Sequence, residues 1–320
     1  MSDEIIRIAS RGSPLALAQA NLARDTLAQA HGWERAALDR ICPIRSFRTT
    51  GDQVQDRPLV ELGGKGLFAK EIEDALLQDE ADIAIHSMKD LPAVQPPGLT
   101  LVSVLERADP RDVFLGHRVQ NFSELEPGAS LGTSSVRRAA QALRARPDLK
   151  IVPLRGNVQT RLDKLSAGEA DGIFLARAGL ARLGLLPANC EELSYENWLP
   201  ALCQGAIGLE IRSDDEKARR LVANIDHTGS HLAVTVERGF LAALDGSCRT
   251  PISGLALIQN GALNFRGEVL SLEGRSSWSA SCELALHETV DQDTFQRAHA
   301  LGEGAAKDVR AAAGVHLPKY

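Results

Sequence analysis

The chain has 320 residues, 44% of them hydrophobic and 24% charged, enough for two or three folded domains of roughly 100–200 residues each. Thirty-six basic residues against 42 acidic ones leave a net charge of −6, which excludes a globally basic nucleic-acid binder. Five widely spaced cysteines with no C-x-x-C pair exclude a disulfide framework and a zinc site, so no metal is expected, and no apolar run reaches the roughly 18 residues of a membrane helix.

Met1-Ser2-Asp3-Glu4 is acidic and leads straight into apolar residues, so no signal peptide is expected and the cytoplasm is the expected compartment. A strand is predicted over 5–9. Ser13 then suits a helix N-cap and Pro14 the first helical position, with Gly32 placed to end the helix. A helix start preceded by Arg11 is a natural anion site. After a second strand over 44–49, Gly63, Gly64 and Gly66 form a loop around Lys65 that runs into Leu67-Phe68 and a helix. The spacing is not that of a P-loop, which disfavours a nucleotide enzyme. A flexible basic lid fits better.

Ile83-Ala84-Ile85-His86-Ser87-Met88-Lys89-Asp90-Leu91-Pro92 reads as a strand running into a loop. Loops at the carboxyl ends of strands are where open α/β sheets bind ligands. Here the loop brings Asp90 beside Lys89, and His86, at the strand end, is expected to pack or hydrogen-bond without taking part in chemistry. A strand over 99–104 follows, and Asp109-Pro110-Arg111-Asp112 breaks the pattern at an expected hinge.

A second α/β block opens with Gly132-Thr133-Ser134-Ser135-Val136-Arg137-Arg138. Hydroxyls and free N–H groups at a helix start suit a carboxylate or phosphate ligand. Two arginines in the first turn oppose the helix dipole unless an anion offsets them. Strands over 150–154 and 171–176 end in further basic corners, at Arg155 and Arg161 and at Arg177 and Arg182. The expectation is two similar α/β lobes facing a cleft, with 199–206, including Gln204, leading back towards the first lobe. Beyond about residue 228 a helix over 231–244, a hairpin turning at Asn260-Gly261 and a third alternating strand through Trp278, Ala280, Cys282, Leu284 and Leu286 precede a closing helix over 291–313. This reads as a small α+β domain.

Taken in order, six segments resemble the porphobilinogen deaminases, also called hydroxymethylbilane synthases, of tetrapyrrole biosynthesis. They are Arg7 to Ala16 (RIASRGSPLA), Gly63 to Phe68 (GGKGLF), His86 to Asp90 (HSMKD), Gly132 to Ser135 with Arg137-Arg138, Leu154 to Val158 with Thr160-Arg161-Leu162, and Gln204-Gly205-Ala206. The resemblance covers nearly the whole chain. It implies two α/β domains like those of periplasmic binding proteins or transferrin lobes around a cleft, plus a small C-terminal α+β domain with an antiparallel sheet. The corresponding divisions are 1–105 with 203–226, 106–202, and 227–320.

The resemblance also implies a monomeric transferase of the cytoplasm, with no nucleic-acid or membrane partner. It would join four porphobilinogen units head to tail with release of ammonia, hydrolyse the product to linear hydroxymethylbilane and hand it to a downstream synthase. The implied cofactor is dipyrromethane, attached by a thioether to Cys248. Cofactor contacts fall by analogy on Ser87, Lys89, Thr133, Ser134, Ser135, Arg137, Arg138 and Arg155, and substrate contacts on Arg11, Ser13, Lys65, Phe68, Arg161, Arg182 and Gln204. Each pyrrole carries an acetate and a propionate, so clustered arginines in a net-acidic chain suit the growing product. Asp90 is the expected catalytic carboxylate. Loss of ammonia leaves a cationic azafulvene, and a carboxylate accepting the pyrrole N–H stabilises that cation.

Three positions depart from the family pattern: Cys203 and Ser247, where glycine is common, and Arg177, where a small or apolar residue is usual. The rival reading is a non-catalytic anion-binding protein of the same two-lobed form. It would need neither Cys248 nor a third domain.

Overall fold

The computed structural model describes residues 5–53, 66–245, 250–287 and 289–317. The chain divides into two compact units, Met1–Ala108 with Gly205–His231, and Asp109–Gln204 with Leu232–Tyr320. In chain order the strands are β1 (Ile8–Arg11), β2 (Ile44–Phe47), β3 (Ile83–Ser87), β4 (Leu99–Val104), β5 (Asp112–Gly116), β6 (Ser130–Gly132) and β7 (Lys150–Val152). They continue with β8 (Gly172–Ala176), β9 (Glu191–Glu192), β10 (Ile207–Arg212), β11 (Ile252–Gln259), β12 (Ala262–Leu270) and β13 (Ser277–Ala285).

The first unit holds a sheet of order β2-β1-β3-β10-β4. Strands β1, β2 and β3 run parallel, and β10 lies antiparallel between β3 and β4. Helices cover both faces, which is why these strands read as near-continuous apolar runs. Ile8, Ile83, Ile85, Ile207, Leu209 and Ile211 pack on one face with Ala20, Ala23 and Leu27 of helix Pro14–His31. Ala9 and Ala84 pack on the other with Ile72, Ala75 and Leu76 of helix Lys70–Leu77. Ser13 caps helix Pro14–His31 by accepting from the Ala16 N–H at 3.3 Å, and Gly32 ends it at φ 65°.

The second unit repeats the plan. Its sheet order is β7-β6-β8-β5-β9, with β6, β7 and β8 parallel and β5 antiparallel to β8 and β9. Helix Val136–Ala145 starts at N-cap Ser135 and helix Val158–Ser166 at N-cap Asn157. This unit also contains the antiparallel sheet β11-β12-β13, packed on helix Gln292–Ala313 through Ala298, Ala305 and Val309. Asn260 (φ 52°) and Gly261 (φ 74°) make the left-handed hairpin turn that the Asn-Gly pair predicts.

Strands β5, β6, β9 and β10 go beyond the sequence reading. β5 begins at Asp112, inside the stretch read only as a hinge, because a strand-averse aspartate is accommodated there by buried guanidiniums. The return segment becomes β10, inserted inside the first sheet rather than merely approaching it. The helix predicted from Leu67 begins at Lys70 and leaves Phe68 in a turn.

Candidate active site

The loop after β3 is held at three points. The Met88 N–H donates to the Ala206 carbonyl at 3.1 Å, and the Asp90 N–H donates to the Ser87 carbonyl at 2.9 Å. The Met88 side chain, 1% exposed, lies over Gly208 of β10, where an added Cβ would come within 2.1 Å of the Met88 sulfur. Only glycine leaves room for this close approach. Asp90 is thereby fixed half-buried, with Oδ2 3.5 Å from Nη1 of Arg11. The Arg11 guanidinium in turn lies 4.2 Å from the centre of the Phe68 ring, a cation–π stack.

Arg11, Ser13, Phe68, Ser87, Lys89 and Asp90 line one pocket. Six residues that the sequence assigns to cofactor, substrate or catalysis thus converge in the first unit, although 79 positions separate Arg11 from Asp90. Lys65 and Cys248 lie outside the described residues. Gln19 and His86 line the same pocket. Gln19 went unassigned in the sequence reading, yet it is 3% exposed and falls in the helical stripe with Ala16, Ala20, Ala23 and Leu27. A glutamine in an otherwise apolar stripe was the available signal.

In the second unit, Ser134 is exposed and Ser135 half-buried at the start of helix Val136–Ala145, and Thr133 is buried. Ser134 Oγ donates to the Leu154 carbonyl at 3.1 Å, joining the two strand–helix corners. Arg155 and Arg161 are half-buried in the next corner, where Arg161 Nε donates to the Gly156 carbonyl at 2.9 Å. Burial pushes the Arg182 guanidinium down to about 10.

Arg137, Arg138 and Gln204 converge on Asp112. Arg137 Nη2 donates to Asp112 Oδ2 at 2.8 Å and Arg138 Nη2 to Oδ1 at 2.7 Å. Gln204 Nε2 reaches Oδ1 at 2.9 Å and Trp198 Nε1 reaches Oδ2 at 3.0 Å. The Asp112 side chain is wholly buried, and those of Arg137 and Arg138 are 6% and 7% exposed. Burial opposes ionisation of Asp112, but Arg137 and then Arg138 outweigh it and hold the carboxyl far below its usual range. In this structure a carboxylate of the chain itself, Asp112, offsets the two arginines. The Gln204 amide nitrogen donates to the same carboxylate and to the Pro110 carbonyl.

The departures at 203 and 177 lie among the described residues, and that at Ser247 lies outside them. Cys203 adopts φ 60°, the left-handed region that favours glycine. Arg177 Nε meets Glu192 Oε1 at 2.5 Å and Asp109 Oδ2 at 3.4 Å, within a network that includes Arg111. Among the described cysteines, burial pushes the Cys42 thiol up to about 12 and raises those of Cys190 and Cys282. None of these three has the lowered pKa of an activated nucleophile.

A family model described as "Porphobilinogen deaminase, dipyromethane cofactor binding domain" matches residues 6–220, and that of the "Porphobilinogen deaminase, C-terminal domain" matches 231–310. The chain belongs to the porphobilinogen deaminase family. Porphobilinogen deaminase of Paracoccus denitrificans is 54% identical over 269 residues, 84% of this chain and 85% of that protein. The protein of the same name from Nitrobacter hamburgensis is 46% identical over 313 residues, 98% of this chain and 95% of the relative. Among solved structures, the periplasmic aliphatic sulphonate binding protein SsuA from Escherichia coli aligns with 76% of this chain and 71% of its own, at 14% identity and a TM-score of 0.41. As a member of the deaminase family, the chain is a transferase that polymerises porphobilinogen into hydroxymethylbilane on a dipyrromethane cofactor.

The donor set suits that cofactor. Two pyrroles carry four carboxylates, and the described residues offer Arg11, Ser13 and Lys89 in one unit and the Ser134–Ser135 helix start with Arg155 in the other. Within each unit taken by itself, cations and hydroxyls of this kind suit carboxylates.

Proposed function

We propose that Asp90 is the catalytic carboxylate of this porphobilinogen deaminase and that Cys248 carries the cofactor. The observation that carries the reading is the placement of Asp90 among Arg11, Ser13 and Lys89 in one pocket. Arg11, Ser13 and Lys89 hold the acetate and propionate groups of the pyrrole, and Phe68 keeps the Arg11 plane in position from below. Asp90 accepts the pyrrole N–H. As the aminomethyl group departs as ammonia, positive charge spreads over the ring, and the carboxylate stabilises it through elimination, carbon–carbon bond formation and deprotonation.

The cofactor, when bound, supplies the pyrrole carbon to which the first substrate is joined. Its carboxylates are taken by Ser87, Lys89, the Thr133–Ser135 helix start and Arg155, while Arg161 and Arg182 serve the growing chain, and Lys65 neighbours the pocket in sequence through Phe68. Arg137, Arg138 and Gln204 act indirectly, by fixing that helix start through Asp112. Four units are joined before hydrolysis, and the linear product passes to a downstream synthase. The protein works as a cytoplasmic monomer. A division into 1–105 with 203–226, 106–202, and 227–320 agrees with one sheet in each part.

Intact-mass measurement of the purified protein tests the cofactor assignment. An adduct of two pyrrole units is expected in the wild type and absent in Cys248→Ala. Active enzyme at the bare polypeptide mass would refute it.

A further inference from the structure

Three ionisable side chains are buried together on the face of the first sheet that packs against helix Lys70–Leu77. Gly208 pairs with His86 and Glu210 with Ala84, so His86 and Glu210 are diagonal neighbours on adjacent strands. Nε2 of His86 lies 3.0 Å from Oε2 of Glu210, with side chains 4% and 0% exposed. Glu73 of the helix is also buried. Its carboxyl is pushed upward, first by burial and then by Glu210.

In the neutral ring, a carboxylate at Nε2 fixes the proton on that nitrogen and leaves Nδ1 as an acceptor. His86 lines the pocket that contains Asp90. Its Nδ1 makes no hydrogen bond among the described residues and, unlike Oε1 of Glu210, is not a sealed, unpartnered atom. Of the ionisable groups in the pocket, Arg11 and Lys89 can only donate, whereas Asp90 and His86 can accept. Porphobilinogen presents two kinds of N–H donor, the pyrrole nitrogen and the aminomethyl group. Asp90 takes the first.

We propose that His86 is a substrate-binding residue whose Nδ1 accepts a hydrogen bond from the protonated aminomethyl group of porphobilinogen, with Glu210 holding the ring in the required tautomer. The inference rests on the deaminase reading and adds to it the group that orients the leaving nitrogen. No proton has to move to His86. The electrons of the C–N bond leave with nitrogen as ammonia, and the positive charge passes to the pyrrole as the azafulvenium ion. The hydrogen bond aligns that C–N bond with the ring system that expels it.

The test compares porphobilinogen with the same pyrrole bearing a hydroxymethyl group, which is uncharged at that position, using cofactor-loaded enzyme. His86→Gln keeps an N–H for Glu210 and loses the acceptor at the Nδ1 position. It is expected to lower kcat/KM for porphobilinogen about tenfold or more relative to the hydroxymethyl compound. A purely structural His86 would lower both alike, and an unchanged ratio in folded His86→Gln overturns the proposal. His86→Asn keeps an acceptor near Nδ1 and loses the bond to Glu210, so both rates fall while their ratio is retained. It keeps the proposal open to refutation if His86→Gln does not fold, because a lost ratio in His86→Asn would overturn it. Wild-type enzyme that turned over neither compound would instead refute the underlying reading.

Discussion

Met88 of the β3 loop is seated directly on Gly208 of β10, with no room for a Cβ between them. Asp90 follows two residues on, its N–H bonded to the Ser87 carbonyl at 2.9 Å. Gly208→Ala forces Met88 upward and overpacks a site that is fully buried on the loop side, at a cost of about 1–3 kcal/mol. We expect a lower urea midpoint and a fall in kcat of about tenfold or more, since misplacing a reacting group by about 1 Å costs up to about 100-fold. Wild-type kcat in this variant would show that the loop is positioned independently of Gly208.

Asp90→Asn preserves shape and removes the charge that stabilises the cationic pyrrole. Ammonia release from porphobilinogen should fall by about 10²–10⁴-fold, with an unchanged far-UV spectrum because the side chain is half-exposed and makes one long contact with Arg11. Near-normal turnover would remove Asp90 from the mechanism.

Asp112 governs acid stability. Its native pKa is depressed by Arg137 and Arg138 against the effect of burial. The stabilisation is therefore fully present above the unfolded value of about 4 and is lost as pH falls below it towards the native value. Asp82 and Asp109 are depressed in the same direction, Asp82 held by Arg7 and Asp109 by Arg111 against the effect of burial, and add to that acid limb. Asp112→Asn leaves two buried guanidiniums without a counter-ion and should cost about 3–5 kcal/mol at neutral pH. Urea midpoints measured from pH 7 to pH 3 should fall less steeply in this variant than in the wild type; parallel curves would disprove the linkage.

Cys203 tests backbone strain. At φ 60° a β-branched residue is a true outlier, so Cys203→Val should destabilise by roughly 1–3 kcal/mol. Cys203→Gly relieves the strain but gives up a buried thiol, and should stay within about 1 kcal/mol of the wild type. A valine variant as stable as the glycine one would contradict the assignment of strain.

Arg11→Lys keeps the charge and loses both the planar stack on Phe68 and the forked donor geometry. KM for porphobilinogen should rise about tenfold with a smaller change in kcat, as for loss of binding shared by ground and transition states. An unaltered KM would place the substrate carboxylates elsewhere.

Elements that depend on near neighbours were legible in the chain alone. Ser13 and Pro14 start a helix, Gly32 ends it, Asn260-Gly261 turns a hairpin and the alternation from Trp278 marks a half-buried strand, each through chemistry within a few residues. The motif residues also announced the pocket, because their identities suit a polycarboxylate substrate wherever they meet. Which of them meet was a tertiary matter. The partners of Asp112 lie 25 to 92 positions away, and Glu210 lies 124 from His86. Periodicity within a segment carries no information about such pairings, so the internal carboxylate that Asp112 of β5 gives Arg137, Arg138 and Gln204 was not legible in the chain alone. The hydrogen bond expected as one alternative for His86 likewise found its partner, Glu210, only through the insertion of β10 beside β3.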